Sequence, residues 1–173
     1  FHKKISGKVG MPAGSIIYTG ENTIPTTVEL FVYDSNSFEQ NSINNINQLN
    51  LVPDKVNWIN ICGFENISFI EEITNYIGIH QILLEDILSV EHPPKYEDTE
   101  ETIAVLMKNY FLNENNDLVQ NHCAVCLVNE VLITFQEYSN EILEKKIERI
   151  KQGKGKTRNK ESDFLMFVIL DSF

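Results

Sequence analysis

Strand-like segments that interleave with helical ones constrain the fold of this chain most. Five segments alternate apolar with polar residues or are rich in β-branched residues, which is typical of β-strands: 26–34, 55–61, 101–112, 118–128 and 131–136. The third and fourth flank "NENND" and predict a long hairpin. Because strands and helices do not alternate strictly, the sequence predicts an α/β (α+β) fold, in which helices pack on a mixed sheet.

Four further segments predict helices. Residues 66–78 carry an isoleucine stripe between a cap at Asn66 and a stop at Gly78. The stretch "GIHQILLEDIL", residues 78–88, follows directly and predicts a helix that begins at His80. Residues 139–152 predict a third helix, and the last is expected to run from about Glu161 past the end of the chain. The polar stretches 41–50 and 96–101 are expected to be surface segments.

The net charge restricts the partners of this chain. Its 173 residues, 42% of them hydrophobic, suit one compact domain with a net charge of −11. Phosphate contacts need a basic surface, so the charge argues against a nucleic-acid partner and favours cations. The charge is uneven, since residues 1–144 carry −15 and residues 145–173 carry +4.

The chain has no segment that predicts a membrane-spanning helix. Its longest apolar run, residues 164–170, is far shorter than the roughly 20 residues that such a helix needs, and no signal peptide precedes the fold. We expect this chain alone to be soluble. It begins with Phe1 and stops at Phe173 directly after the apolar run, so we expect a fragment of a longer protein.

Two adjacent acids, Glu85 and Asp86, are the main candidate site. At about 100° per residue, they lie about 130° either side of the centre of the apolar arc, with no lysine or arginine within three residues. The arc is formed by Leu83, Leu84, Ile87 and Leu88. Ile82 falls nearly opposite, between the two carboxylates, which favours a surface covered by a second subunit. The alternative is a solvated face with one exposed isoleucine.

Three other patterns are candidate sites. "GKGKTRNK" ends like a phosphate loop, but Ile150 occupies the place of the required glycine and a helix precedes it, so a solvated basic linker is the better interpretation. Cys123 and Cys126 form a C-x-x-C, but residues three apart in a strand point to opposite faces, which favours buried, reduced thiols. Asp171 closes the apolar run and needs a metal ion, a basic group or solvent. No nucleophile or metalloprotease signature indicates an enzyme.

Seven segments carry a family resemblance. "GMPAGSIIYTGE", "VNWINICG", "GIHQILLEDIL", "PKYED", "VLITFQE", "ERIKQGKGKTR" and "DFLMFVILDSF" occur in an order and spacing that resembles the N-terminal cytoplasmic domain of CorA magnesium transporters. The resemblance implies a mixed sheet sandwiched between helical layers. It also implies a cytoplasmic regulatory domain over residues 1–160 and, over residues 161–173, the start of a helix that leads towards a stalk and two membrane-spanning helices. Five copies would surround a pore at the inner membrane.

The resemblance further implies regulatory Mg²⁺ between neighbouring subunits. By position, Glu85 and Asp86 match acids that bind this ion together with a stalk acid of the next subunit, which would lie beyond residue 173. Asp171 matches an acid near a second ion, and Met11 matches a loop position that contributes its backbone carbonyl. The transported ion, whether Mg²⁺, Co²⁺, Ni²⁺ or, in a related branch, Zn²⁺, is left open.

Overall fold

A computed structural model of the chain describes residues 16–20 and 24–172. These residues contain seven strands: β1 (Thr27–Tyr33), β2 (Phe38–Ser42), β3 (Val56–Cys62), β4 (Lys95–Asp98), β5 (Thr102–Leu112), β6 (Leu118–Val128) and β7 (Val131–Gln136). They also contain four α-helices: α1 (Ile67–Ile77), α2 (Gln81–Leu88), α3 (Glu141–Lys151) and α4 (Ser162–Leu170). Single turns of 3-10 helix lie at Ile46–Gln48 and Thr157–Asn159.

The seven strands form one mixed sheet in the order β2-β1-β3-β7-β6-β5-β4. Only β3 and β7 pair in parallel, whereas every other neighbouring pair is antiparallel. The hairpin of β5 and β6 pairs from Thr102↔Val128 to Leu112↔Leu118. The predicted mixed sheet and long hairpin are therefore confirmed.

Helices cover both faces of the sheet. Apolar residues of α1 and α2 pack with one set of strand residues, which includes Leu30, Ile59 and Leu106. Residues of α3 and α4 pack with the alternate set, which includes Phe31 and Trp58. Since successive strand residues point to opposite faces, the two sets define the two sides of the sheet. The arrangement of a mixed sheet between helical layers is confirmed.

Local capping fixes the helices on the side of α1 and α2. The Asn66 side chain accepts a hydrogen bond from the Phe69 N–H at the start of α1. Gly78 ends α1 with φ 96°, a left-handed conformation that glycine adopts without strain. The His80 ring then accepts from the Ile82 N–H at 3.3 Å and begins α2. All three signals were predicted from the sequence.

The structure differs from the sequence predictions in two polar segments and in helix α4. Strand β2 includes the first residues of the polar stretch 41–50, and that stretch buries Ile43 and Leu49. Strand β4 takes up part of the predicted surface segment 96–101 and forms the edge of the sheet beside β5. Both are short strands made mostly of polar residues, which have low preference for strands, and each is held by a hairpin with the longer strand next to it in the chain.

Helix α4 is shorter than predicted. It ends at Leu170, and Asp171 and Ser172 form a turn. The Ser172 N–H donates to the Ile169 carbonyl at 2.8 Å, and the Ser172 hydroxyl donates to the Val168 carbonyl at 2.9 Å. A serine hydroxyl can bond a helix carbonyl four residues earlier in this way. Within residues 16–20 and 24–172, no helix has the length and apolar character needed to cross a membrane.

Candidate functional site

Helix α2 presents the two candidate carboxylates at the edge of its buried face. Four apolar residues anchor the helix against the sheet, each at most 3% exposed: Leu83, Leu84, Ile87 and Leu88. Glu85 and Asp86 are half-buried, and Ile82 is 64% exposed. The predicted orientation of α2 is therefore confirmed. Its outer face carries an apolar side chain between two acids.

The local sequence suggested that Asp86 has no basic partner, but the structure gives it one. The Lys95 ammonium donates to Asp86 Oδ2 at 2.8 Å, and His92 Nε2 lies 3.4 Å from Oδ1. Lys95 stands nine residues away in the chain, so the sequence next to Asp86 does not reveal this partner.

Strand β4 positions Lys95 beside two acids. Lys95 pairs with Leu106 and Glu97 pairs with Ala104, so both face the side of the sheet that α2 covers. Lys95 Nζ is 2.8 Å from a Glu97 carboxylate oxygen as well as from Asp86. Hydrogen bonds to Asp86 and then to Glu97 raise the pKa of Lys95, so this group stays charged. The alternation of Lys95 and Glu97 in "KYED" was the available signal.

His92 contributes a second nitrogen to Asp86. Its Nδ1 lies 2.8 Å from the Pro93 carbonyl, a distance at which Nδ1–H donates to that oxygen. Asp86 thus has Lys95 at Oδ2 and His92 at Oδ1.

His122 lies in the core beneath the carboxyl end of α2. It is 1% exposed, and neither ring nitrogen makes a hydrogen bond of ordinary geometry. Burial lowers the pKa of His122 to about 4, and the nearby carbonyls of Ile87 and Asp86 offset this only in part. At neutral pH the ring is uncharged, so it supports α2 as a packed side chain.

Asp171 lies away from the α2 acids. It follows α4, which packs on the face of the sheet opposite α2. Its side chain is 71% exposed, and its Oδ2 is 3.7 Å from Lys146 Nζ. Within one chain the structure does not bring Asp171 together with Glu85 and Asp86. Met11 lies outside the described residues.

The donor set on α2 fits a hard cation in part. Mg²⁺ prefers oxygen ligands, keeps several of its waters and needs only one or two carboxylates from the protein. Glu85 and Asp86 supply such oxygens at a half-buried surface. Among the described residues, no group of three histidine, cysteine, aspartate or glutamate side chains could hold a metal ion. An ion at α2 would therefore need water or groups from elsewhere.

The rival motifs have structural surroundings that do not resemble their functional counterparts. Helix α3, rather than a strand, leads into "GKGKTRNK", and Ile150 is buried in its last turn. Cys123 and Cys126 lie in β6, and both are buried. Burial raises the pKa of both thiols, to about 12 for Cys126. Thiols of this kind neither bind metal nor react readily.

The chain matches a known family and several known proteins. The family model described as CorA-like Mg2+ transporter protein matches residues 54–173. The "Cobalt/magnesium transport protein CorA" of Thermotoga maritima is 27% identical over 173 residues, which cover 98% of this chain and 49% of that protein. The chain therefore spans about half the length of this relative.

Solved structures share the fold. The soluble domain of CorA from Methanocaldococcus jannaschii aligns with a TM-score of 0.61 at 17% identity, covering 84% of this chain and 54% of that one. The cytoplasmic domain of ZntB from Vibrio parahaemolyticus aligns with a TM-score of 0.58 at 12% identity, covering 76% and 52%. At these identities the likeness concerns the fold alone.

Proposed function

The chain belongs to the family of CorA-like Mg2+ transporter proteins, and from this premise we propose that it is the cytoplasmic Mg²⁺-sensing domain of a pentameric divalent-cation transporter. The family is one of transporters rather than of enzymes. In this proposal residues 1–160 form the regulatory domain, and residues 161–173 begin the path towards a stalk and membrane-spanning helices. The full-length transporter implied here is the protein used in the experiments below.

The outer face of α2 is the observation that carries the proposal. Two half-buried carboxylates flank an isoleucine that is 64% exposed, on a helix whose other side is fully anchored in the core. An exposed large apolar residue between acids suits a face that another protein surface covers. By position in the sequence, the same acids match those that the resemblance implies for an inter-subunit ion.

Charge supplies the physical reason for a sensor. Copies of a chain with a net charge of −11 repel one another, and their acidic side chains lose contact with water when neighbouring subunits approach. Glu85 and Asp86 would hold Mg²⁺ against a stalk acid of the next subunit, while Asp171 and the Met11 carbonyl would face a second ion. Bound Mg²⁺ supplies the positive charge that offsets this repulsion.

Linkage then connects the ion to gating. If the closed assembly brings the acids of two subunits together, the closed state binds Mg²⁺ more tightly and is favoured at high internal Mg²⁺. When the ion is lost, repulsion between subunits loosens the ring, and the pore opens. Weak binding through few carboxylates matches an ion that is abundant inside cells.

Limited proteolysis of the full-length transporter tests the proposal. Mg²⁺ should protect the wild type from cleavage, because it holds the subunits in the closed assembly. Glu85→Gln together with Asp86→Asn, which keeps shape and removes charge, should abolish that protection. Protection that survives in the double variant contradicts the proposal.

A zinc transporter of the same family is the second candidate. The site described here consists of carboxylates that do not distinguish Mg²⁺ from other divalent ions by themselves, and the selectivity would lie in the pore. Uptake measured with the full-length protein in the presence of Mg²⁺ or Zn²⁺ separates the two. Uptake of Zn²⁺ without uptake of Mg²⁺ would favour the second candidate.

A further inference from the structure

One cation already occupies the carboxylate of Asp86. Lys95 Nζ is 2.8 Å from Asp86 Oδ2 and 2.8 Å from Glu97 Oε2, so a single ammonium bridges α2 and β4. Each of the three side chains is about one-fifth to one-third exposed, at 21% for Asp86, 32% for Lys95 and 30% for Glu97. Ion pairs at such depth are screened less than pairs on the open surface.

Secondary structure fixes the positions of Lys95, Glu97 and Asp86. Lys95 and Glu97 stand two residues apart on β4 and therefore face the same side of the sheet, which α2 covers. Asp86 is fixed by its buried neighbours Ile87 and Leu88. Strand β4 thus positions the ammonium of Lys95, and helix α2 positions the carboxylate of Asp86.

We propose that Lys95 is an internal competitor for Mg²⁺ at Asp86 and sets the ion concentration at which the regulatory site fills. This inference rests on the proposed function, since it concerns the regulation of the same site. In the absence of the divalent ion, Lys95 neutralises Asp86. When Mg²⁺ binds, Lys95 gives up Oδ2 and stays on Glu97, which keeps its charge paired.

Competition by Lys95 predicts the direction in which the Mg²⁺ affinity changes when the ammonium is removed. Removing the ammonium frees an oxygen of Asp86 and removes a positive charge a few ångströms from the ion, so Mg²⁺ should bind more tightly. A purely structural role has the opposite sign, because Asp86 would lose the group that orients it and would bind Mg²⁺ more weakly. The two roles can therefore be separated by the direction of the change.

The experiment measures the Mg²⁺ concentration that gives half-maximal protection from proteolysis in the full-length transporter. Lys95→Met should lower this concentration by about three- to tenfold. Lys95→Arg, which keeps the charge, should stay within about twofold of the wild type. Lys145→Met is the matched control, because it removes the same charge from a residue that is 76% exposed on α3. It should leave the value unchanged.

A charge-neutral double variant excludes an effect of net charge. Lys95→Met with Glu97→Gln keeps the total charge of the wild type and should still lower the half-protection concentration. A thermal melt verifies folding, and Lys95→Gln replaces Lys95→Met if the latter does not fold. An unchanged or raised concentration in the Lys95 variants overturns the inference.

The same assay separates failure of this inference from failure of the proposed function. If Asp86→Asn abolishes protection while Lys95→Met changes nothing, Mg²⁺ sensing at α2 stands and the competitor role of Lys95 falls. If Glu85→Gln together with Asp86→Asn keeps full protection, the sensing site itself is wrong, and the role of Lys95 falls with it.

Discussion

The ammonium of Lys95 lies 2.8 Å from Oδ2 of Asp86, although the two residues stand nine positions apart and belong to different elements. This ion pair joins the end of α2 to the edge strand β4 at the point where the chain carries its candidate metal-binding acids. Asp86 is therefore part of a small charge network within one chain. A divalent ion that approaches Asp86 meets a carboxylate that already has a partner.

Two substitutions in α2 should differ strongly in their effect on the free energy of unfolding. Leu84→Ala removes a side chain that is 1% exposed and should lower the free energy of unfolding by about 2–5 kcal/mol. Ile82→Ser alters a side chain that is 64% exposed and should change it by less than about 0.5 kcal/mol in the 173-residue chain. Urea unfolding measures both. In the full-length transporter, Ile82→Ser should weaken assembly in sedimentation, and an unaffected assembly would remove this face from the interface.

Asp171 should contribute little to the stability of a single chain. Its contact with Lys146 is 3.7 Å long at a carboxylate that is 71% exposed, and such pairs contribute less than about 1 kcal/mol. Asp171→Asn and the partner variant Lys146→Met should therefore unfold at nearly the wild-type urea concentration. In the full-length transporter, Asp171→Asn should raise the Mg²⁺ concentration needed for protection. If it leaves that concentration unchanged, Asp171 has no part in ion binding.

His122 should make the fold sensitive to mild acid. Its pKa is lowered from 6.5 to about 4, so the unfolded state binds the proton first. The stability that it contributes is complete above about pH 6.5 and is lost as the pH falls towards 4. Between about pH 7 and pH 5, the wild type should lose roughly 2 kcal/mol that His122→Leu does not lose. Urea unfolding at the two pH values measures this, and equal losses in both proteins would contradict it.

The cysteines should be unreactive in the folded chain. Burial raises the pKa of Cys62 to about 11 and that of Cys126 to about 12, and it raises the pKa of Cys123 as well. Because the thiolate is the reactive form, a thiol reagent at mildly alkaline pH should label Cys62 slowly and the two buried cysteines more slowly still. The unfolded chain should react at all three. Rapid labelling of Cys123 in the folded chain would contradict the assigned burial.

The orientation of α2 could be predicted because it depends on local information. The buried arc of Leu83, Leu84, Ile87 and Leu88 follows from helical periodicity, and so do the flanking positions of the two acids. The long strands β5 and β6 likewise carry their pattern within themselves. Caps at Asn66 and Gly78 were predictable for the same reason.

The ion pair of Asp86 with Lys95 could not be predicted in this way. It depends on β4, a strand of four residues whose Lys, Glu and Asp have low preference for strands and whose order comes from pairing with β5. Unless that strand is predicted, the sequence does not indicate which side of the sheet Lys95 faces, and its contact with Asp86 cannot be inferred. The position of Asp171 on the far side of the sheet likewise required the three-dimensional layers.

A crystal structure of the full-length transporter grown with Mn²⁺, a divalent ion visible by anomalous scattering, tests the central claim most directly. The account predicts an anomalous peak between subunits, held directly or through water by Glu85 and Asp86 of one copy and by groups of the next. It also predicts that Lys95 has left Asp86 and contacts Glu97 alone. Acids of α2 that face bulk solvent, remote from every other copy and from any metal peak, would contradict the account.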